Sequence, residues 1–505
     1  MSRASSSHIC KHNVFLSFRG EDTRRNFVSH LYNALDLRGI RTFKDDKRLE
    51  IEKSISDEFL KAIQEARFAV VIFSKSYASS RWCLEELAHI IKFKNELKRI
   101  TEKVESLRIP NDYYFKDDLV DYSNIFKRMQ SLKILIVGNG TFSSNCAITF
   151  LPSSLRFIEW QGYPSISLPE SFEPLQLVVL CLCESRLVEL WPISKKLSNL
   201  KHLNLSKSLG LTNPPNFGDM PILETLDLEG CVNLEEVHPS LGHCRKLTYL
   251  SLYGCRKLKK LPKFVCMDSL EDLNLSECTR LEEFPEICGD MRRLSILYLG
   301  SPRIRSLPPS LSGLRDRELH LDDCEILECI PDTIRNLSNV TISGCNKLAT
   351  LPNSLFESQL LKSLKIYRCS RLVKLPVSLG VQKNLRLLEI DGCENLKKLP
   401  SSIQMKSLQK LKISNSPKLD TFPEIEGDMH CLTLLTLKST GIREVPSSIG
   451  NLSGLKSLHL EGCEDLVSLP DSLCNLMNLQ CLTLNGSKKL ENFQDLIFLM
   501  LKIKE

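Results

Sequence analysis

Hydrophobic positions recur along this chain with one spelling. From Leu132 to Leu490 the pattern apolar, two variable residues, apolar, one variable residue, apolar returns every 21 to 24 positions. Sixteen units open in this way, at Leu132, Leu155, Leu177, Leu200, Leu223, Leu247, Leu270, Leu294, Asp316, Leu337, Leu361, Leu385, Leu408, Leu432, Leu455 and Leu479. Alternation within the short Leu-x-Leu run predicts a strand with one side in the core and one in solvent. The intervening residues, such as His202 and Asn204 or Thr225 and Asp227, are then expected to face solvent. They vary from unit to unit while the leucines do not, as a binding surface on a fixed scaffold would. Most units continue as Leu-x-x-Leu-Pro, for example from Leu396 to Pro400.

No such unit can bury its leucines by itself, so neighbours must stack and their apolar positions merge into one continuous core. A period near 23 with this spelling predicts a leucine-rich-repeat solenoid, a horseshoe with about 16 repeats over 126–490. The concave face is expected to carry recognition. One unit breaks the rule: Asp316 stands where the others place an apolar residue, and the spacing there shortens to 22 and then 21 residues. Unpaired carboxylates are costly to bury, so the arc is expected to be irregular at that point.

The amino-terminal part has a different rhythm. Asn13 to Ser17 is an apolar run that reads as a strand, followed by a loop and a helix whose apolar face holds Phe27, Leu31 and Leu35. Arg41 to Phe43 reads as a second strand, Ser54 to Ala66 as a helix, and Phe68 to Phe73 as a buried parallel strand. Strands alternating with helices predict an α/β unit with ligand sites at the strands' carboxyl ends. The remaining segments are 1–12, a flexible amino terminus, 98–125, a charged connector, and 491–505, a divergent tail.

Composition narrows the classes. A formal charge of +6 over 505 residues is mild, and no nucleic-acid module accompanies it. The twenty cysteines include eight that share one slot, three residues after the last apolar residue of the strand (Cys231, Cys255, Cys278, Cys324, Cys345, Cys369, Cys393 and Cys463). Free cysteine packs as a small hydrophobe, and without any Cys-x-x-Cys pair no metal site is expected. Serine-rich residues 1–12 lack the apolar run of a secretory signal, and no segment has the length of a membrane span. A reducing, cytoplasmic setting follows, with the nucleus as a second compartment.

The motifs Val14 to Arg24 (VFLSFRGEDTR), Thr42 to Asp46 (TFKDD) and Ser80 to Leu87 (SRWCLEEL) resemble the first half of a plant Toll/interleukin-receptor (TIR) domain, here 13–97. Together with the repeats, they make the chain resemble a plant intracellular disease-resistance protein of the TIR, nucleotide-binding, leucine-rich-repeat type. The spelling Gly-x-x-x-x-Gly-Lys-[Ser/Thr] of a phosphate-cradling loop is absent. The expectation is therefore a shortened form without the nucleotide-binding (NB-ARC) module and with a partial flavodoxin-like TIR sheet.

The resemblance implies chemistry. Such TIR domains cleave the nicotinamide–ribose bond of NAD+, which would be a substrate rather than a bound cofactor. A carboxylate there stabilises positive charge as the leaving group departs. The family pattern places that carboxylate at Glu86, with Trp82 one helical turn earlier and Arg19 and Gly20 on the substrate side. Ser29 and His30 match the pair of a self-association face between TIR domains. Two departures stand out: Ile51-Glu52 replace the usual glycine-bearing dipeptide, and the connector does not match the last strands of the sheet.

The leading expectation is an immune receptor or adaptor whose repeats recognise a pathogen effector or guarded host protein, with signalling through TIR association and NAD+ hydrolysis. A non-enzymatic interaction protein that binds full-length relatives is the alternative. An extracellular repeat receptor is disfavoured, because sequons such as Asn204-Leu205-Ser206 arise from the repeat's own spelling.

Overall fold

Every strand pair among the described residues is parallel. Each strand is therefore followed by a return segment long enough to bring the chain back to its starting edge. The computed structural model describes residues 12–18, 27–44, 62, 66–72, 104–109, 126–138, 147–289, 291–313 and 317–490. The chain divides into two units, Met1–Cys231 and Val232–Glu505.

The first unit opens with the α/β fold that the amino-terminal rhythm predicts. Strand β1 (His12–Phe18) lies between β2 (Thr42–Lys44) and β3 (Ala66–Ile72). Val14, Leu16 and Phe18 alternate into a core with Val28 of helix α1 (Phe27–Asp36), against which Leu31, Tyr32, Leu35 and Ile40 pack. The helix stops at Gly39, which takes a left-handed φ of 69°. Its N–H donates to Asp36 O at 2.8 Å while that of Ile40 donates to Leu35 O at 3.0 Å, a Schellman ending. Because the three strands run in parallel, the loops leaving β1, β2 and β3 emerge at one edge.

The same unit holds the first repeat strands, β4 (Ser106–Ile109), β5 (Ile134–Val137), β6 (Phe157–Trp160), β7 (Val179–Cys181), β8 (His202–Asn204) and β9 (Thr225–Asp227). Each pairs with the next. Strand β4 corrects the sequence reading of 98–125 as a mere connector. Leu107 pairs with Leu135 and Ile109 with Val137, so this segment supplies a repeat rung, and both its apolar residues are buried. The rung escapes a search at fixed period because Glu105 and its Lys133 partner on the next rung are 28 residues apart, beyond the usual spacing.

The second unit continues the pattern through β10 (Tyr249–Ser251), β11 (Asp272–Leu275), β12 (Ile296–Leu299), β13 (Arg317–Asp322), β14 (Leu337–Ser343), β15 (Ser363–Tyr367), β16 (Leu387–Asp391), β18 (Lys410–Ser416), β20 (Leu434–Thr440), β21 (Ser457–His459) and β22 (Cys481–Thr483). Strands β17 (Ser402–Ile403) and β19 (Glu424–Ile425) form a separate pair. Pairing in register aligns like with like: Leu364 faces Leu388, and Ile366 faces Ile390. These columns are almost wholly buried. Where the spacing shortens, the β13–β14 ladder shifts register between Arg317 and Glu318; Asp316 itself lies outside the described residues.

The returns explain the Leu-Pro spelling. In several units a short 3-10 turn follows, and the carbonyl of the residue before it accepts from the turn's buried apolar residue. Leu379 N–H donates to Pro376 O, Ile449 N–H to Pro446 O and Leu473 N–H to Pro470 O, at 3.0–3.1 Å. Proline holds the φ that this turn entry needs. Units also touch backbone to backbone: a Cβ on Gly242 would meet Lys263 O at 2.0 Å, and Gly242 O accepts from Val265 and Cys266 N–H at 2.9 Å.

Candidate functional site

Two places were expected to carry function, the strand side opposite the leucine core and the loops at the TIR sheet edge. The outward strand positions are not simply solvated. In the first unit they bond from rung to rung. Lys201 Nζ lies 2.7 Å from Glu224 Oε1, His202 Nδ1 2.9 Å from Thr225 Oγ1, and Asn204 Nδ2 donates to Asp227 Oδ2 at 3.2 Å. His202, Asn204, Thr225 and Asp227 are half-buried rather than free in solvent, because each leans on the next rung about 4.8 Å away. Burial pushes the Asp227 carboxyl up, partly offset by the N–H of Glu229.

In the second unit the outward side chains are more distinctive. Tyr298 and His320, register partners on β12 and β13, stack with ring centroids 4.5 Å apart and planes inclined by 21°. Glu318 Oε1 accepts from Asn339 Nδ2 at 2.8 Å, and its Oε2 lies 3.3 Å from His320 Nε2. Asp272 holds a buried Oδ1 that accepts no hydrogen bond, and burial raises its carboxyl above the ordinary range. The Asp322 carboxyl is raised for the same reason. Burial and then the carboxylates Glu318, Asp272 and Asp322 push the Tyr298 phenol up. Further along, Tyr367 is pushed to about 12 by burial with Glu389 beside it, and Lys412 Nζ reaches Glu389 Oε1 at 3.6 Å.

The cysteine slot does more than the sequence suggested. All eight slot cysteines are buried, and none is in a disulfide. Most of their thiols also donate to the carbonyl of the last apolar residue in the preceding unit's Leu-x-Leu run: Cys231 Sγ to Leu205 O at 3.2 Å, Cys278 to Leu252 O at 3.2 Å, Cys463 to Leu437 O at 2.8 Å. Two slots that lack cysteine hold a serine with the same bond, Ser208 to Leu182 O at 3.2 Å and Ser487 to Leu460 O at 3.0 Å, while Ser416 donates to Ser414 O and Thr440 pairs with Cys463. The requirement is for a small buried donor. Serine standing in for cysteine in one slot was the signal that sequence reasoning passed over. Among the described residues, no group of three or more His, Cys, Asp or Glu could hold a metal ion, and no helix is long and apolar enough to cross a membrane.

On the TIR side, Arg19 and Gly20 follow β1 directly in the chain. They, Trp82, Glu86 and the Ile51-Glu52 pair all lie outside the described residues. Ser29 and His30 lie on α1, between the core residues Val28 and Leu31, but their side chains are not among those described. The structure thus brings the repeat residues together on one sheet side, and leaves the NAD+ constellation as an expectation.

Comparison with known proteins agrees with both folds. Residues 11–103 match the TIR domain family, six residues beyond the boundary expected at 97, and residues 404–499 match the leucine-rich repeats of the "Disease resistance protein RPS4B-like" family. The TMV resistance protein N of Nicotiana glutinosa is 54% identical over 99 residues, 20% of this chain and 9% of that protein. The disease resistance-like protein DSC1 of Arabidopsis thaliana is 30% identical over 354 residues, 68% of this chain and 23% of its own length. The TIR domains of the activated Roq1 resistosome, described as directly recognising the effector XopQ, are 43% identical, covering 24% of this chain and 81% of that one at a TM-score of 0.18. The chain therefore spans less than a quarter of the length of these two resistance proteins. It carries a TIR domain followed by a leucine-rich-repeat solenoid of parallel strands, homologous to those of plant TIR-type resistance proteins.

Proposed function

We propose that this chain acts in plant immunity as a receptor or adaptor of the TIR and leucine-rich-repeat type. The repeats take a pathogen effector or guarded host protein on the open side of their sheet. The TIR portion signals by associating with other TIR domains, with NAD+ as substrate and Glu86, Trp82, Arg19 and Gly20 as the residues that act on it. Ser29 and His30 on α1 belong to the association face, and the setting is cytoplasmic. The observation that carries this reading is the union, in one chain, of a TIR match over 11–103 with a repeat sheet whose open side bears varied polar side chains.

The alternative is a non-enzymatic module that binds full-length relatives. Ile51-Glu52, in place of the usual glycine-bearing dipeptide, favours it, because catalytic groups need a supporting shell that fixes them within about half an ångström. The purified chain should be assayed for NAD+ cleavage beside Glu86→Ala. Little or no turnover by the chain alone is expected, which favours a module that passes its signal to intact partners. Robust turnover abolished in the variant makes the chain an enzyme in its own right. Turnover indifferent to the substitution removes Glu86 from the role.

A further inference from the structure

The open side of the sheet changes character along the second unit. On β11 to β14 the outward positions 272–276, 296–300, 318–322 and 339–343 contain three carboxylates, Asp272, Glu318 and Asp322, and no lysine or arginine. The register places Asp272 beside Ile296 and Ile296 beside Glu318. Two of the acids therefore stand in one column, two rungs or about 10 Å apart. Between and beside them lies the Tyr298–His320 stack, its rings 4.5 Å apart. Strands β15, β16, β18 and β20 differ: Lys365, Lys410, Lys412 and Lys438 stand among their outward positions, together with Glu389 and Asp391.

Three features give this surface a chemical preference. The carboxylates sit together without a lysine or arginine among the outward positions of their own strands; Arg368 reaches only the far corner, donating to Ser343 Oγ at 3.4 Å beside Asp322 and Asp323. The Asp272 carboxyl receives no hydrogen bond at its buried Oδ1, so no donor within the chain offsets its charge there. A stacked aromatic pair offers its ring face to a flat cation.

We propose that the open side of β11–β14 is a docking surface for an arginine-bearing segment of a protein partner. In that complex a guanidinium lies on the Tyr298–His320 stack and donates to Glu318, with Asp272 and Asp322 neutralising the charge that follows it. Guanidinium is favoured over ammonium because it is planar, stacks on rings and donates in a fork that matches a carboxylate. The inference rests on the reading of this sheet side as the recognition surface and adds the chemistry of what it recognises.

The test uses the full chain and three synthetic peptides of alternating glycine with arginine, lysine or glutamate, titrated at low salt. The arginine peptide should bind about tenfold more tightly than the glutamate peptide, an advantage that added salt reduces. Combined Asp272→Asn, Glu318→Gln and Asp322→Asn substitutions, which keep shape and remove charge, should erase it. Tyr298→Leu should remove the preference for arginine over lysine while leaving the preference of both over glutamate. Circular dichroism and thermal unfolding verify that each variant is folded. Arginine-peptide binding that is absent, or indifferent to the triple substitution, overturns the proposal. A preference for the glutamate peptide, lost on Lys410→Glu with Lys412→Glu, also overturns it but leaves recognition on this side of the sheet standing. Binding indifferent to both sets removes recognition from the surface altogether.

Discussion

The two sides of the repeat sheet are made by the same strands, yet they obey different rules. On the closed side, Leu364, Leu388, Leu411 and Leu435 fall in one column, exposed by no more than 3%. Their open-side neighbours in the next column, Lys365, Glu389, Lys412 and Thr436, share neither charge nor size. A period of two separates what must stay the same from what is free to differ. Stability and specificity can then be altered almost independently, one residue apart.

Substitutions can break or sharpen that contrast. The largest effect is expected at the core: Leu388→Ala should destabilise by about 2–5 kcal/mol in chemical denaturation, mostly in neighbouring units. Glu389→Gln, one residue on, should change stability by less than about 1 kcal/mol, since its pair with Lys412 is part-exposed. Equal effects at the two positions would erase the distinction. Next comes a contact on neither side: Gly242→Ala forces a methyl against Lys263 O and should cost about 1–3 kcal/mol by the same assay.

The slot donor comes third. Cys278→Ala should cost about 1–3 kcal/mol because the Leu252 carbonyl loses its buried donor, and Cys278→Ser should restore most of it. If serine fared no better than alanine, the hydrogen bond would be irrelevant and only volume would matter.

The smallest effect has the opposite sign. Asp272 has its folded carboxyl raised above the unfolded value by burial, so the native state binds the extra proton. Its contribution to stability therefore falls as pH rises through the unfolded carboxylate range and is unfavourable at neutral pH. Asp272→Asn should stabilise the fold at pH 7 by under about 1 kcal/mol, and that gain should vanish near pH 3. A gain independent of pH would place its origin elsewhere.

Much of this was legible in the residues. The leucine period gave the strands and their two sides, and the motif at Val14 to Arg24 gave the parallel sheet around β1. The unrecognised rung at β4 shows the limit of periodicity: one long return hides a strand whose Ser-Leu-Arg-Ile alternation is sound. The half-buried state of His202 and Asp227 was missed because burial there comes from side chains on the next rung, which a single strand's alternation does not record. The cysteine slot was read by volume when its chemistry is donation. The Tyr298–His320 stack depends on register, which places two residues 22 positions apart side by side.

The slot thiols also make the solenoid a clock with a mark on half of its sixteen turns. Cys231 and Cys278 are pushed up to about 12 by burial, so at neutral pH neither offers the thiolate that alkylating reagents attack. Each can be modified only when its own unit opens. Mass spectrometry after timed exposure to iodoacetamide would read how often each unit parts from its neighbours, thiol by thiol. The chain thus comes already equipped to report where its solenoid begins to unzip, with no label introduced.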